Sequence, residues 1–196
     1  MKEVVLATRN SGKVREFSGL LQGIFAKVIS LSDLDSPPEV TEDGATFREN
    51  ALKKARAIAQ FSGRAALADD SGLEVDALGG EPGVYSARYA GENASDEDNI
   101  LKLLRELNGI DDRKARFVCC LALVTPEGGE TVVEGTCEGV ILTEPRGEGG
   151  FGYDPVFFLP EYGKAMAEIP PGLKNEISHR ARAAQLLINN LRSKTL

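Results

Sequence analysis

Long apolar runs are missing from this sequence. None approaches the roughly 20 residues needed to span a bilayer, and Met1-Lys2-Glu3 leads straight into a strand-like segment rather than a leader peptide. A membrane role is not expected, and a soluble, cytoplasmic protein is. Positive charge is scarce as well: 23 Lys and Arg against 30 Asp and Glu give a formal charge of −7. No basic stripe stands ready to neutralise a phosphate backbone, so a nucleic-acid polymer is not an expected partner. Cysteine is sparse and odd in number. Cys119, Cys120 and Cys137 have no metal-ligand spacing, and adjacent residues on a strand point to opposite faces, so reduced, buried thiols are expected. Histidine occurs once, at His179.

What is present suffices for one large domain over residues 1–196, since 42% of them are hydrophobic. Residues 3–8 read as a strand that stops at Arg9-Asn10-Ser11-Gly12 and gives way to a helical pattern from Lys13 to about Gln22. Thr46-Phe47-Arg48-Glu49 has the form of a capping box, and Ala51, Leu52, Ala55, Ile58 and Ala59 carry that helix to Phe61. Residues 65–68 read as a buried strand ending at Asp69-Asp70-Ser71-Gly72, with 73–77 extended beyond it. Residues 79–94 have neither period and read as a loop. Ser95 can cap a helix bearing Ile100, Leu103, Leu104 and Leu107 and stopping near Gly109. Residues 116–125 and 131–143 are β-rich and joined by Pro126-Glu127-Gly128-Gly129-Glu130, a hairpin signal that makes the sheet at least partly antiparallel. A short strand over 156–159 and a final helix from about Ser178 to Arg192 complete the reading, with Ala181, Ala184, Leu187, Ile188 and Leu191 on one apolar face.

Four places can carry chemistry. Thr8-Arg9-Asn10-Ser11-Gly12-Lys13 sits where a strand feeds a helix, so backbone N–H groups and the helix dipole can hold an anion beside the Lys13 charge. It is not a Walker loop, and an ordinary capped turn would look the same. Asp69 and Asp70 close an apolar strand, and their oxygens suit Mg²⁺, with Glu42 as a further donor; a solvated turn is the plain alternative. Alternation lets only one of the two aspartates face a cleft, and Asp70, beside Ser71, is the choice. His179 and Arg180 open the final helix, where the Arg180 fork can donate to a carbonyl oxygen, and Lys174 can neutralise a phosphate or lie over a base. The run Gly149-Gly150-Phe151-Gly152-Tyr153-Asp154-Pro155 joins flexible backbone to an aromatic face, from Phe151 or Tyr153, on which a base can stack. A plain hairpin turn would share that composition.

Taken together and in order, these segments resemble the inosine triphosphate pyrophosphatase family, also called Ham1-like. The residues that carry the resemblance are Thr8-x-Asn10-x-x-Lys13, Asp69-Asp70-Ser71-Gly72-Leu73, Pro82-Gly83-Val84-Tyr85-Ser86-Ala87-Arg88, the Gly149–Pro155 run and Ser178-His179-Arg180. They span essentially the whole chain. The resemblance implies an α/β fold with a mixed, twisted sheet flanked by helices, two lobes with a central cleft, and a homodimer. It implies that Thr8, Arg9, Asn10, Ser11, Gly12 and Lys13 contact a triphosphate, and that Glu42 and Asp70 hold Mg²⁺. Asp70 matches the proton acceptor, and Ser71, Phe151, Gly152, Tyr153, Asp154, Lys174, His179 and Arg180 match substrate-binding positions. The implied reaction converts noncanonical purine triphosphates (ITP, dITP, XTP) to monophosphate and pyrophosphate. The rivals are a Maf-like pyrophosphatase acting on other modified nucleotides and a nucleotide-binding protein without turnover. The Ser-His-Arg and Phe-Gly-Tyr-Asp-Pro motifs weigh against the first, and Glu42 and Asp70 against the second.

Overall fold

The computed structural model describes residues 3–193. β1 (Glu3–Leu6) leads into α1 (Ser11–Leu20) and β2 (Lys27–Ser30), and an irregular stretch then reaches α2 (Phe47–Ser62). β3 (Ala66–Val75), α3 (Asp96–Glu106), β4 (Lys114–Val124) and β5 (Glu130–Ile141) follow. β6 (Phe157–Leu159), β7 (Lys164–Ala165), α4 (Pro171–Ile177) and α5 (His179–Ser193) complete the described chain. One seven-stranded sheet runs in the order β2-β1-β3-β4-β5-β6-β7, parallel across β2, β1 and β3 and antiparallel from β5 to β7. The expected mixed sheet flanked by helices is therefore the observed architecture. No helix among the described residues is long and apolar enough to cross a membrane.

Side-chain caps fix where the helices begin. The Asn10 carboxamide accepts from the Lys13 backbone N–H, Thr46 from Glu49, and Ser95 from Asp98, whose carboxylate returns to the Ser95 backbone in a full capping box. Each such cap stabilises its helix by about 1 kcal/mol. At α2 the reciprocal half differs from the expected box: the Glu49 carboxylate accepts from Ala45 N at 2.7 Å, one residue earlier than Thr46. Gly63, in the left-handed region at φ 62°, ends that helix.

The chain divides into two compact units, each with its own core. The first comprises Met1–Asp70, Cys119–Gly135 and His179–Leu196; the second comprises Ser71–Val118 and Thr136–Ser178. In the first, Leu6, Phe17, Leu21, Leu67, Leu121 and Leu187 are fully buried together. α5 comes so close to β5 there that a Cβ on Gly135 would collide with the Ala183 backbone nitrogen, so only glycine fits. In the second, Leu73, Leu103, Leu107, Ile141 and Phe157 form the centre, with the Phe117 and Phe157 rings 4.3 Å apart. All three cysteines are reduced and buried, as expected.

One expectation about the strands fails. Asp69-Asp70-Ser71-Gly72 does not end a strand; β3 runs unbroken through it to Val75. Turn chemistry is a local preference, and here both carboxylates find partners on other elements, which leaves the backbone free to stay extended. Leu73 N–H donates to Ser86 Oγ at 2.8 Å and that hydroxyl donates to Gly83 O at 2.6 Å, so the strand also anchors the segment read as a loop. That segment contains a 3₁₀ helix over Gly83–Arg88.

Candidate active site

Within the first unit, the β1-to-α1 connection is held by its own side chains. Thr8 Oγ1 accepts from Asn10 N at 3.2 Å, and Asn10 Oδ1 accepts from Lys13 N at 3.1 Å. Ser11 and Gly12 form the first turn of α1, where backbone N–H groups have no helical acceptor. Arg9 reaches away to donate to Pro37 O at 3.2 Å.

Asp69 and Asp70, successive on β3, serve opposite sides of the strand. Asp69 meets Lys13 Nζ at 2.8 Å and has Arg180 Nε at 3.9 Å. Arg180 in turn donates through Nη1 to Glu16 at 3.0 Å, so β3, α1 and α5 share one buried charge cluster. Asp70 accepts from Asn50 Nδ2 at 2.9 Å and has Lys54 Nζ at 3.9 Å. The Lys54 ammonium also donates to Glu42 Oε1 at 2.9 Å and to the Asp69 carbonyl at 2.6 Å.

These environments drive the two carboxyls apart. Burial works against the Asp69 charge, yet Lys13, Arg180 and Lys54 overcome it and hold Asp69 well below the usual carboxylate range. For Asp70 burial prevails over the help from Lys54 and Asn50, with the Glu42 charge adding to it, and its pKa is pushed up to about 6. Asp69 is a permanent counter-charge, whereas Asp70 is poised to take a proton near neutrality. Burial acts against the Lys54 charge too, but Asp69, Glu42 and Asp70 together raise its pKa. Glu42 and Asp70 thus share one cation, which is the donor chemistry a magnesium ion also uses. Among the described residues no group of three or more His, Cys, Asp or Glu could hold a metal, so an ion at Glu42 and Asp70 would need water and substrate oxygens as well, the usual habit of Mg²⁺.

In the second unit, the aromatic turn is locked by carboxylates. Phe151 N–H donates to Asp154 Oδ2 at 3.0 Å, and Lys174 Nζ donates to the same oxygen at 2.7 Å. Gly152 N–H donates to Asp96 Oδ2 at 2.7 Å. Gly150 is at φ 76°, and a Cβ there would strike the Asp154 carboxylate, so glycine is required on two counts. Tyr153 is 5% exposed and its hydroxyl donates to Ser86 O at 2.8 Å, which commits its ring to the core. Phe151, half-buried, is the aromatic face that remains, with Lys174 Nζ 5.1 Å from its ring centroid.

The sequence-derived candidates therefore fall into two sets. Thr8 to Lys13, Glu42, Asp70, His179 and Arg180 belong to the first unit; Ser71, Phe151 to Asp154 and Lys174 belong to the second. His179 and Arg180, at 2% and 5% exposure, are buried rather than displayed at a surface terminus. Asn50, Lys54, Glu16 and the part played by Asp69 escaped the sequence reading. Asn50 and Lys54 did leave a signal: they fall on the apolar stripe that carries Ala51, Ala55 and Ile58, where a polar residue needs a buried partner.

Known proteins are similar to this chain from end to end. Two relatives called dITP/XTP pyrophosphatase, from Geobacillus kaustophilus and Geobacter sulfurreducens, are 58% and 55% identical to the chain. The matches cover 93% and 97% of it and 91% and 97% of the relatives. The solved structure of the Staphylococcus aureus Ham1 protein superposes with a TM-score of 0.89 at 46% identity, covering 98% of this chain and 100% of that one. The family model that matches residues 4–190 describes the Ham1 family, and to that family this chain belongs.

Proposed function

We propose that the protein hydrolyses noncanonical purine nucleoside triphosphates, ITP, dITP and XTP, to the monophosphate and pyrophosphate, and so cleanses the cytoplasmic nucleotide pool. The observation that carries the reading is the Asp69-Asp70 pair on β3: one carboxyl is held ionised against Lys13, and its neighbour is raised to about 6 beside Lys54. In a chain so similar to proteins named dITP/XTP pyrophosphatase, that pair supplies a proton acceptor flanked by two phosphate-sized positive charges.

In the mechanism, Lys13, Lys54 and the open N–H groups at the start of α1 neutralise and orient the triphosphate. Asp70, fixed by Asn50, takes a proton from the attacking water as it adds to the α-phosphorus, and the bond to the β-phosphate oxygen breaks to release pyrophosphate. Glu42 and Asp70 would hold Mg²⁺, which supplies charge neutralisation on the phosphate oxygens when bound. Phe151 offers the stacking face and Lys174 a charge at its edge. Arg180, its fork oriented by Glu16, donates to the carbonyl at the purine 6-position, where adenine would present an opposing donor. Ser71 and His179 complete the substrate contacts, and the working form is a homodimer.

Pyrophosphate release from a panel of ATP, GTP, ITP, dITP and XTP, with and without Mg²⁺, tests this. ITP, dITP and XTP are expected to turn over far faster than ATP and GTP. Equal turnover of ATP and ITP, or a product of orthophosphate and diphosphate, would refute the proposal.

A further inference from the structure

The side chains of Arg9 and Arg15, at the entry to α1, have no part in the mechanism proposed above. A cavity of about 560 Å³ opens within the first unit, walled by Val14, Leu31 and Leu34 and lined by Arg9, Ser11 and Arg15. Among the described residues no carboxylate lines it, in a chain whose formal charge is −7. Arg9 is pinned to the wall through Pro37 O at 3.2 Å. Arg15 makes no hydrogen bond or ion pair among the described residues, and it is exposed. Two arginines with so few partners line one concave space and together offer a receptor for an anion that can accept two forked donors.

Helix geometry separates this space from the proposed triphosphate site. Ser11, Val14 and Arg15 are three and four residues apart and share one face of α1. Lys13, about 200° on from Ser11 around the helix, points instead to Asp69 on β3, and Glu16 points with it to Arg180. The same ten-residue helix therefore serves phosphate neutralisation on one face and lines a separate cavity with the other.

We infer that this cavity is a second ligand site, for a phosphomonoester the size of a nucleoside monophosphate, whose flat base has an apolar face. The phosphate meets Arg9 and Arg15, with the Ser11 hydroxyl beside them, and the base face lies against Val14, Leu31 and Leu34. The volume falls in the range of about 300–1,000 Å³ usual for small-molecule pockets. Because Arg9 and Ser11 belong to the loop that positions Lys13, occupancy and triphosphate affinity are coupled, and the coupling is reciprocal.

Isothermal titration of the full chain with inosine monophosphate, inosine and inorganic phosphate tests this without any turnover. In a Lys13→Ala background, which weakens the triphosphate face, inosine monophosphate is expected still to bind. Adding Arg15→Gln is expected to weaken that binding at least tenfold, and adding Lys27→Gln, which removes the same charge from an exposed position on β2, is not. Inosine alone should not bind, and inorganic phosphate should bind more weakly than the monophosphate. Loss of all binding in Lys13→Ala, an undiminished affinity in the Arg15→Gln protein, or equal losses with Arg15→Gln and Lys27→Gln would overturn the inference. Since binding is read directly, failure to hydrolyse ITP would overturn the proposed activity and leave this result standing.

Discussion

In the proposed reaction a single residue, Asp70, carries the heaviest chemical load. Asp70→Asn keeps the side-chain shape and an acceptor for Asn50 but removes the base, so turnover should fall by at least ~10²-fold, read as kcat with ITP. Asp69→Asn should act otherwise, weakening the hold on Lys13 and raising KM more than it lowers kcat; a reversed pattern would exchange the two roles. Lys54→Met should cost stability, because it leaves Glu42, Asp70 and the Asp69 carbonyl around an empty centre. The loss should be about 3 kcal/mol, the low end for opening a buried ion pair, because Glu42 stays partly in water. An unchanged denaturant midpoint would contradict it. The thiols give a further check: burial, with the nearby Glu134 charge, raises Cys120 to about 11, and Cys119 and Cys137 are buried too. None of the three should react with a thiol reagent at pH 8 until the protein is unfolded. Alternation along a strand told only that the two aspartates face opposite sides, and the assignment of Asp70 as proton acceptor came from the family resemblance. Lys54 was not legible, because a lysine on a helix reads as solvated until the partners that bury it are known.

Among the elements, β3 shows where local sequence misleads. Asp-Asp-Ser-Gly has the composition of a turn, but Lys13, Asn50 and Ser86 reach it from distant parts of the chain and keep it extended. The helix starts at Thr46 and Ser95 were legible because their caps lie within four residues of what they bind. The same contrast applies to the Gly149–Pro155 turn: its glycines announced a special backbone, whereas the commitment of Tyr153 to Ser86 depends on a residue 67 positions away. Gly150→Ala should force the turn out of φ 76° and against Asp154. KM should then rise for every purine triphosphate while kcat at saturation changes little, because Phe151 would be displaced as a stacking face and the phosphate machinery would not. A variant with unaltered KM would show that the turn does not carry the base.

At the scale of the molecule, each of the two units has an apolar core among the described residues. The sequence disclosed enough apolar residues for a domain but not their partition, since which strand half serves which core depends on contacts between distant segments. Both cores draw on β3, β4 and β5, and each of those strands contributes residues to the two units. Thermal or denaturant unfolding should therefore proceed in one transition, coincident by circular dichroism and by aromatic fluorescence. Two separated transitions would mean that the cores are energetically independent.

The chain passes from one unit to the other at four points, after Asp70, Val118, Gly135 and Ser178. Three of those points lie inside β-strands and the fourth between α4 and α5. Neither unit is thus a contiguous stretch of polypeptide that could be excised by one proteolytic cut, expressed as a fragment, or exchanged between relatives by a single crossover. A nick in an exposed segment such as residues 35–45 leaves both units still threaded through each other's sequence. Recombination that keeps the protein whole must respect all four crossings at once, so the two halves of the proposed chemistry are inherited together.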